Sequence, residues 1–385
     1  MKILISGWYG YSNAGDELLL DVFLNKCSTH NITVLTQGII CPKHAKSVFH
    51  HDMLRFDSGG IKQWLRGQPL RVIKAIMDCD VFVLGGGGII REAGNYTNLI
   101  RLLDEIWLAK LLGKKVFIYG VSIGPIHSEK GMKMIKKALQ KCDYITVRDD
   151  KSLAYLKQFG LPNSQYNVFP DPGFLPFERD SITTNVKLAE LSRNITENKT
   201  IPIFLALGLI DDGKDLSWLD SLAEALDSLS QDDNLSFIAL PFRCLGKGAL
   251  DDVFVANELY KRLKHKQCLS VYEKALEHTD LSKIIVNSEC VVTVRLHAMI
   301  LSIANKTPFV AINYDTKVMD TALKSGLDQQ VVRLDESFTQ NLIVQIKNMV
   351  ADPLILKSKV SVASEKMEKL AQQTFTEFER VCSDN

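Results

Sequence analysis

What this chain lacks narrows it first. No window approaches the roughly 20 consecutive apolar residues that a membrane-spanning helix needs, and the start, MKILISGWYG, turns polar too quickly for a secretory signal. Eight cysteines are present without a single C-x-x-C pair, which argues against a zinc ribbon or a redox dithiol. Several of them (Cys79, Cys142, Cys290) sit in or beside strand-like runs and read as reduced thiols. The spacing of His44, His50 and His51 fits no standard metal site, so no metal is expected. Charge of one sign is also missing. Forty-six Lys and Arg face 45 Asp and Glu, a net +1, so recognition of nucleic acid in bulk is not expected and anion binding must be local. No low-complexity tract or short repeat breaks the pattern. These absences leave a soluble cytoplasmic protein that retains the option of peripheral contact with an inner membrane surface.

What is present is a long alternation of strands and helices. With 385 residues, 46% hydrophobic and 24% charged, two ordinary domains are the natural expectation. Apolar runs at Lys2–Ser6, Asn31–Leu35, Cys79–Leu84, Lys115–Tyr119, Tyr144–Val147 and Val168–Phe169 alternate with helical segments. These include Asp16–Lys26, Gly60–Met77, Tyr96–Leu112, Ser128–Lys141 and Asp149–Phe159. Such alternation predicts a doubly wound parallel sheet over residues 1–178. Residues 179–199 are polar and read as a linker with one helix at Asn185–Ile195. A second alternation follows over 200–352. The segment 353–385 predicts one long amphipathic helix, Pro353–Cys382, burying Leu356, Val360, Ala363, Met367, Leu370, Phe375 and Phe378. The expected fold class is α/β, with two Rossmann-like domains facing across a cleft.

The stretch 290–318 carries the most chemistry. A buried strand, Cys290–Val294, runs into Arg295-Leu296-His297 and then an apolar helix. Strands of an open parallel sheet end at the ligand crevice, and a helix N-terminus already favours an anion. Arg295 and His297 therefore read as an anion site. The next strand, Pro308–Ile312, exits at Tyr314, Asp315 and Lys317 on the same rim, and Arg243 follows another strand end. In the first half, the loop from Trp8 to Gly15 lacks the G-x-G-x-x-G spacing of a dinucleotide site. It ends in Asp16 and Glu17, which either cap the following helix or meet a sugar hydroxyl. Gly85–Gly88 read as a ligand-facing loop with Arg91 and Glu92 as polar partners. Arg148 either faces a ligand or pairs with Asp149 and Asp150.

Taken in order, these motifs resemble the polysaccharide pyruvyl transferase family. The matching parts are Asn13-Ala14-Gly15-Asp16-Glu17, Gly85–Gly88, Gly120 with Ile123-Gly124-Pro125, Thr146-Val147-Arg148-Asp149 and Asp171-Pro172. Pro241-Phe242, Arg295-Leu296-His297-Ala298 and Tyr314-Asp315-Thr316-Lys317-Val318 complete the set. The resemblance implies a GT-B-like fold and transfer of pyruvate from phosphoenolpyruvate to a sugar hydroxyl pair as a cyclic ketal. The acceptor would be an oligosaccharide, free or lipid-linked, and no cofactor or metal is implied. It assigns Arg295, Leu296 and His297 to the donor, with Lys317 and Arg243 as further cations. It places Asn13, Asp16, Glu17, Gly86, Gly87 and Glu92 on the acceptor side. Arg295 and His297 would be catalytic, with Asp16 as the base, although Glu17 or Glu92 could take that part and any of the three could instead bind acceptor hydroxyls. Two other readings of the same architecture stay open: a nucleotide-sugar-dependent glycosyltransferase and a non-catalytic glycan-binding or assembly protein. One position departs from the pattern. Where members commonly carry an arginine after the first strand of the second domain, this chain reads Leu205-Ala206-Leu207-Gly208-Leu209-Ile210.

Overall fold

A computed structural model describes residues 1–36, 45–49, 68–92, 96–177, 201–210, 215–232, 235–246 and 251–383. The expectations for His44, His50, His51 and the linker 179–199 lie outside the described residues. The chain divides into two compact units. The first holds Met1–Tyr11, Asp16–Phe177 and Lys369–Asn385; the second holds Ser12–Gly15 and Glu178–Glu368.

In the first unit the strands are β1 (Lys2–Ser6), β2 (Asn31–Thr36), β3 (Ala45–Phe49), β4 (Val81–Ile90), β5 (Lys115–Ile123), β6 (Tyr144–Val147) and β7 (Tyr166–Val168). They form one parallel sheet in the order β3-β2-β1-β4-β5-β6-β7. Near-continuous runs such as Val81–Leu84 are buried on both faces, as a parallel sheet covered by helices requires. One face is covered by α2 (Gln68–Asp78), α3 (Thr97–Leu111), α4 (Glu129–Leu139) and α5 (Asp150–Gln158). Ile76, Leu103, Ile106, Ile135 and Leu156 from these helices share a core with Phe82, Val116, Ile118 and Ile145. Ser128 and Asp149 cap α4 and α5, each accepting a backbone N–H three residues on. On α1 (Ala14–Lys26), Phe23 packs edge-on to Tyr119 at 5.1 Å and to Phe378 at 5.5 Å.

The second unit repeats the plan. Strands β8 (Ile201–Ala206), β9 (Leu235–Ala239), β10 (Leu269–Val271), β11 (Cys290–Thr293), β12 (Phe309–Asn313) and β13 (Val331–Arg333) form a parallel sheet. Its order is β10-β9-β8-β11-β12-β13. The helices between and after them are α6 (Trp218–Asp232), α7 (Asp252–Arg262), α8 (His278–Val286), α9 (Leu296–Ala304), α10 (Thr316–Ser325) and α11 (Phe338–Ala351). The strand order reverses between β1 and β4 in one sheet and between β8 and β11 in the other. Those switch points are where ligands bind in open α/β sheets.

Three expectations change. The glycine run is no loop: β4 continues through Gly85–Gly88 and pairs with an equally extended β5, Gly85 opposite Tyr119 and Gly87 opposite Val121. The register slips between Gly87 and Ile90, and Gly86 and Gly87 take φ of +74° and +90°, which only glycine adopts cheaply. The expected helix Pro353–Cys382 is two helices, α12 (Pro353–Ala371) and α13 (Gln373–Ser383). Leu356, Val360, Ala363, Met367, Phe375 and Phe378 are buried along them. Finally, β3 matches none of the expected strands; an edge strand of five residues carries little apolar signal.

Candidate functional site

In the second unit the residues singled out in sequence converge on the β8–β11 switch point. Thr293 ends β11, and its Oγ1 accepts the Arg295 N–H at 2.7 Å, turning the chain sharply into α9. Arg295 stands at the N-cap in extended conformation, Leu296 is buried beneath it, and His297 sits half-exposed on the first turn. The guanidinium meets Asp252, with Nε 3.2 Å from Oδ2 and Nη2 bonded to Oδ1. Asp252 is 1% exposed and its Oδ2 also accepts the backbone N–H groups of Phe242 at 2.9 Å and Arg243 at 3.0 Å. Burial pushes this carboxyl above its ordinary value, and Arg295 with the two N–H groups pulls it back. One buried carboxylate thus holds both the β9 exit loop and the arginine. Sequence reading missed it, because Asp251-Asp252 reads as two acids at a helix start. Asp251 does cap α7; Asp252 is turned inward.

Two glycines explain how the side chains fit. A Cβ on Gly208 would stand 2.6 Å from Arg295 Nη2 and closer still to Nε and Cζ. The guanidinium fills the space a side chain at Gly208 would occupy. A Cβ on Gly15 would overlap the His297 imidazole in the same way. The Gly15 N–H donates to Asn13 Oδ1 at 3.2 Å, and Asn13 bridges Arg243 as an isolated antiparallel pair. The Ala14 N–H donates to the Phe242 carbonyl at 2.8 Å. Asn13, Gly15, Arg243, Arg295 and His297 are therefore brought together within one unit.

Lys317 is committed nearby. Its Nζ lies 3.1 Å from Asp315 Oδ2 and 5.5 Å from the centre of the Tyr314 ring. Burial opposes ionisation of Asp315, but Lys317 and Thr316 hold it below the usual carboxylate range. Asp315 also caps α10. An open pocket of about 390 Å³ is lined by Asn313, Tyr314, Asp315, Thr316, Met319 and Asp320.

The first unit spends its polar motifs on itself. Asp16 is 6% exposed at the start of α1 and presses on Gly87, where a Cβ would collide with its Oδ1. Gly86 and Gly87 are buried under Leu19 and Asp16. Glu17 accepts the Gly10 N–H at 2.7 Å, closing the loop after β1. Glu92, expected on the acceptor side, accepts from Tyr96 Oη and from the His127 and Ser128 N–H groups at 2.6 and 2.9 Å. Those bonds, the Tyr96 hydroxyl foremost, bring its pKa down to about 2. Arg148 bonds Asp171, with 5% and 4% of the two side chains exposed, and Ser122 Oγ at 2.8 Å. Among the described residues, no group of three or more His, Cys, Asp or Glu is placed to hold a metal ion. Likewise, none of their helices is long and apolar enough to cross a membrane.

The chain belongs to the polysaccharide pyruvyl transferase family, whose model matches residues 13–316. The amylovoran biosynthesis protein AmsJ of Erwinia amylovora is 22% identical over 269 residues, 67% of this chain and 63% of that protein's length. Among solved structures, Anabaena HepE with UDP and glucose superposes with a TM-score of 0.66 at 12% identity, covering 100% of both chains. The trehalose-6-phosphate synthase OtsA gives 0.66 at 11%, again over 100% of both. The UDP-GlcNAc 2-epimerase of Neisseria meningitidis gives 0.60 at 12%, also over 100% of both. The fold is that of the GT-B glycosyltransferases: two Rossmann-like α/β units, with the long helix α12 and the shorter α13 at the C-terminal end.

Proposed function

We propose that this family member transfers pyruvate from phosphoenolpyruvate to a hydroxyl pair on a sugar, free or lipid-linked, in polysaccharide synthesis. The observation that carries the reading is the Arg295–His297 corner at the β8–β11 switch point, seated on Gly208 and Gly15 and braced by Asp252. One sugar oxygen bonds the enol C2 while a proton reaches the methylene carbon, making the methyl group. The second oxygen then bonds C2 as the C2–O bond to phosphate breaks, and its proton leaves with the phosphate. His297 supplies the proton or holds the phosphate. Arg295, fixed before the donor arrives, stabilises the departing dianion, as a preorganised charge should. Arg243 is the second donor cation, ahead of Lys317, which is spent on Asp315. Asp16 is the proposed base for the acceptor hydroxyl, with Asn13 a further acceptor contact. Gly86 and Gly87 serve by seating Asp16, and Glu92 and Glu17 by bracing their loops.

The test is phosphate release from phosphoenolpyruvate against a panel of nitrophenyl and lipid-linked sugars. Arg295→Ala should abolish it and His297→Gln should cost about 100- to 10,000-fold in kcat. Full turnover in His297→Gln would remove the histidine from proton transfer. The neighbours with UDP share the fold alone. Thermal stabilisation by nucleotide-sugars and none by phosphoenolpyruvate would move the chain to glycosyl transfer. Glycan binding without phosphate release would make it a binding protein.

A further inference from the structure

The outer surface of α3 and α4 in the first unit has no part in the chemistry above, yet its composition is unusual for a chain of net charge +1. Lys130, Lys133 and Lys137 follow one another at helical spacing on α4, and Lys141 continues the row just beyond its end. These four are exposed, while Ile135, Ala138 and Leu139 on the opposite side enter the core. The adjoining α3 carries Ile100, Trp107 and Leu111 on one stripe, exposed by 37%, 41% and 83%. The two rows touch: Lys141 Nζ lies 4.6 Å from the centre of the Trp107 ring. Three acids lie on or beside the face, and one of them, half-buried Asp104 on the same stripe as Ile100 and Trp107, is held above its ordinary pKa by burial. Glu129 pairs with Lys133 at 3.3 Å in a nearly fully exposed contact, and Asp143 pairs with Lys110.

We infer that this face docks the protein on an anionic lipid bilayer. A row of lysines is drawn to the negative leaflet. An indole lodges at the headgroup level, and exposed leucine and isoleucine gain by entering the acyl boundary. Lysine stems then lie along the apolar surface with their ammonium groups in water. A soluble polyanion would satisfy the lysines but would leave Leu111 in water, so the apolar stripe selects the lipid. The inference stands apart from the pyruvyl-transfer reading, which uses none of these residues.

The experiment is co-sedimentation of the full chain with vesicles of phosphatidylcholine and phosphatidylglycerol, with pure phosphatidylcholine as the control. Binding should require the anionic lipid and weaken with salt. Each lysine near such a surface is worth about fivefold in partitioning, so neutralising three should lose about 100-fold and Lys133→Glu/Lys137→Glu/Lys141→Glu should lose more. Leu111→Ser should weaken binding while leaving its salt dependence in place. Lys→Gln changes at the same three positions keep the test available should charge reversal disturb folding. Phosphate release with a soluble acceptor should be unchanged in all of them. No vesicle binding, equal binding by the variants, or capture by an anionic glycan alone would overturn the inference.

Discussion

The two switch points use glycine to opposite ends. Between β1 and β4, Gly86 and Gly87 let a bulged strand lie tightly under Leu19 and Asp16. Between β8 and β11, Gly208 and Gly15 leave room for the side chains of Arg295 and His297. A glycine motif in sequence thus has two physical meanings, a backbone that must bend or a neighbour that must approach. The first is a matter of stability and the second of chemistry. The same contrast holds for the arginines. Arg148 and Asp171 are both sealed, while Arg295 keeps a quarter of its side chain exposed beside its buried partner.

Substitutions separate the two uses. Removing a partner from the sealed pair, Asp171→Ala, leaves an uncompensated buried charge and should cost about 3–5 kcal/mol in chemical denaturation. An equal cost from replacing both partners with apolar residues would contradict that account, since that exchange should be nearly neutral. Gly15→Ala should act on turnover instead. Its methyl must displace the imidazole, and a misplacement of about 1 Å costs on the order of 100-fold in rate. Steady-state kinetics beside a melting curve would show whether stability is spared. Gly87→Ala should show in both measurements. The strain of a positive φ costs about 1–3 kcal/mol in stability, and its methyl, meeting Asp16 Oδ1, should also lower turnover by displacing the proposed base.

The smallest effect concerns Glu92. Its pKa falls from the ordinary 4.5 to about 2 in the folded protein. A depressed carboxylate adds stability above its unfolded pKa and loses it as pH falls through the folded one. Glu92→Gln should therefore lower the melting temperature most near neutrality, with the deficit shrinking as pH falls from 4.5 to about 2. A profile identical to that of the parent chain would show that the carboxylate does not brace the start of α4.

The alternation of apolar runs was enough to place both parallel sheets, because a strand buried on two faces must be apolar throughout whatever covers it. Arg295-Leu296-His297 could be singled out for a similar reason. A strand end followed at once by a helix start is a local event, and its anion preference comes from the backbone. Tertiary structure decided what local pattern cannot carry. Asp252 looks like any capping acid until α7 brings it to Arg295, some forty residues away in the chain. The partners of Glu92, Glu17 and Lys317 inside the fold are likewise invisible in the sequence. Gly208 looks like a loss until the guanidinium is found lying over it. Side-chain partners across a fold depend on where distant elements meet, and one residue's type does not encode that meeting.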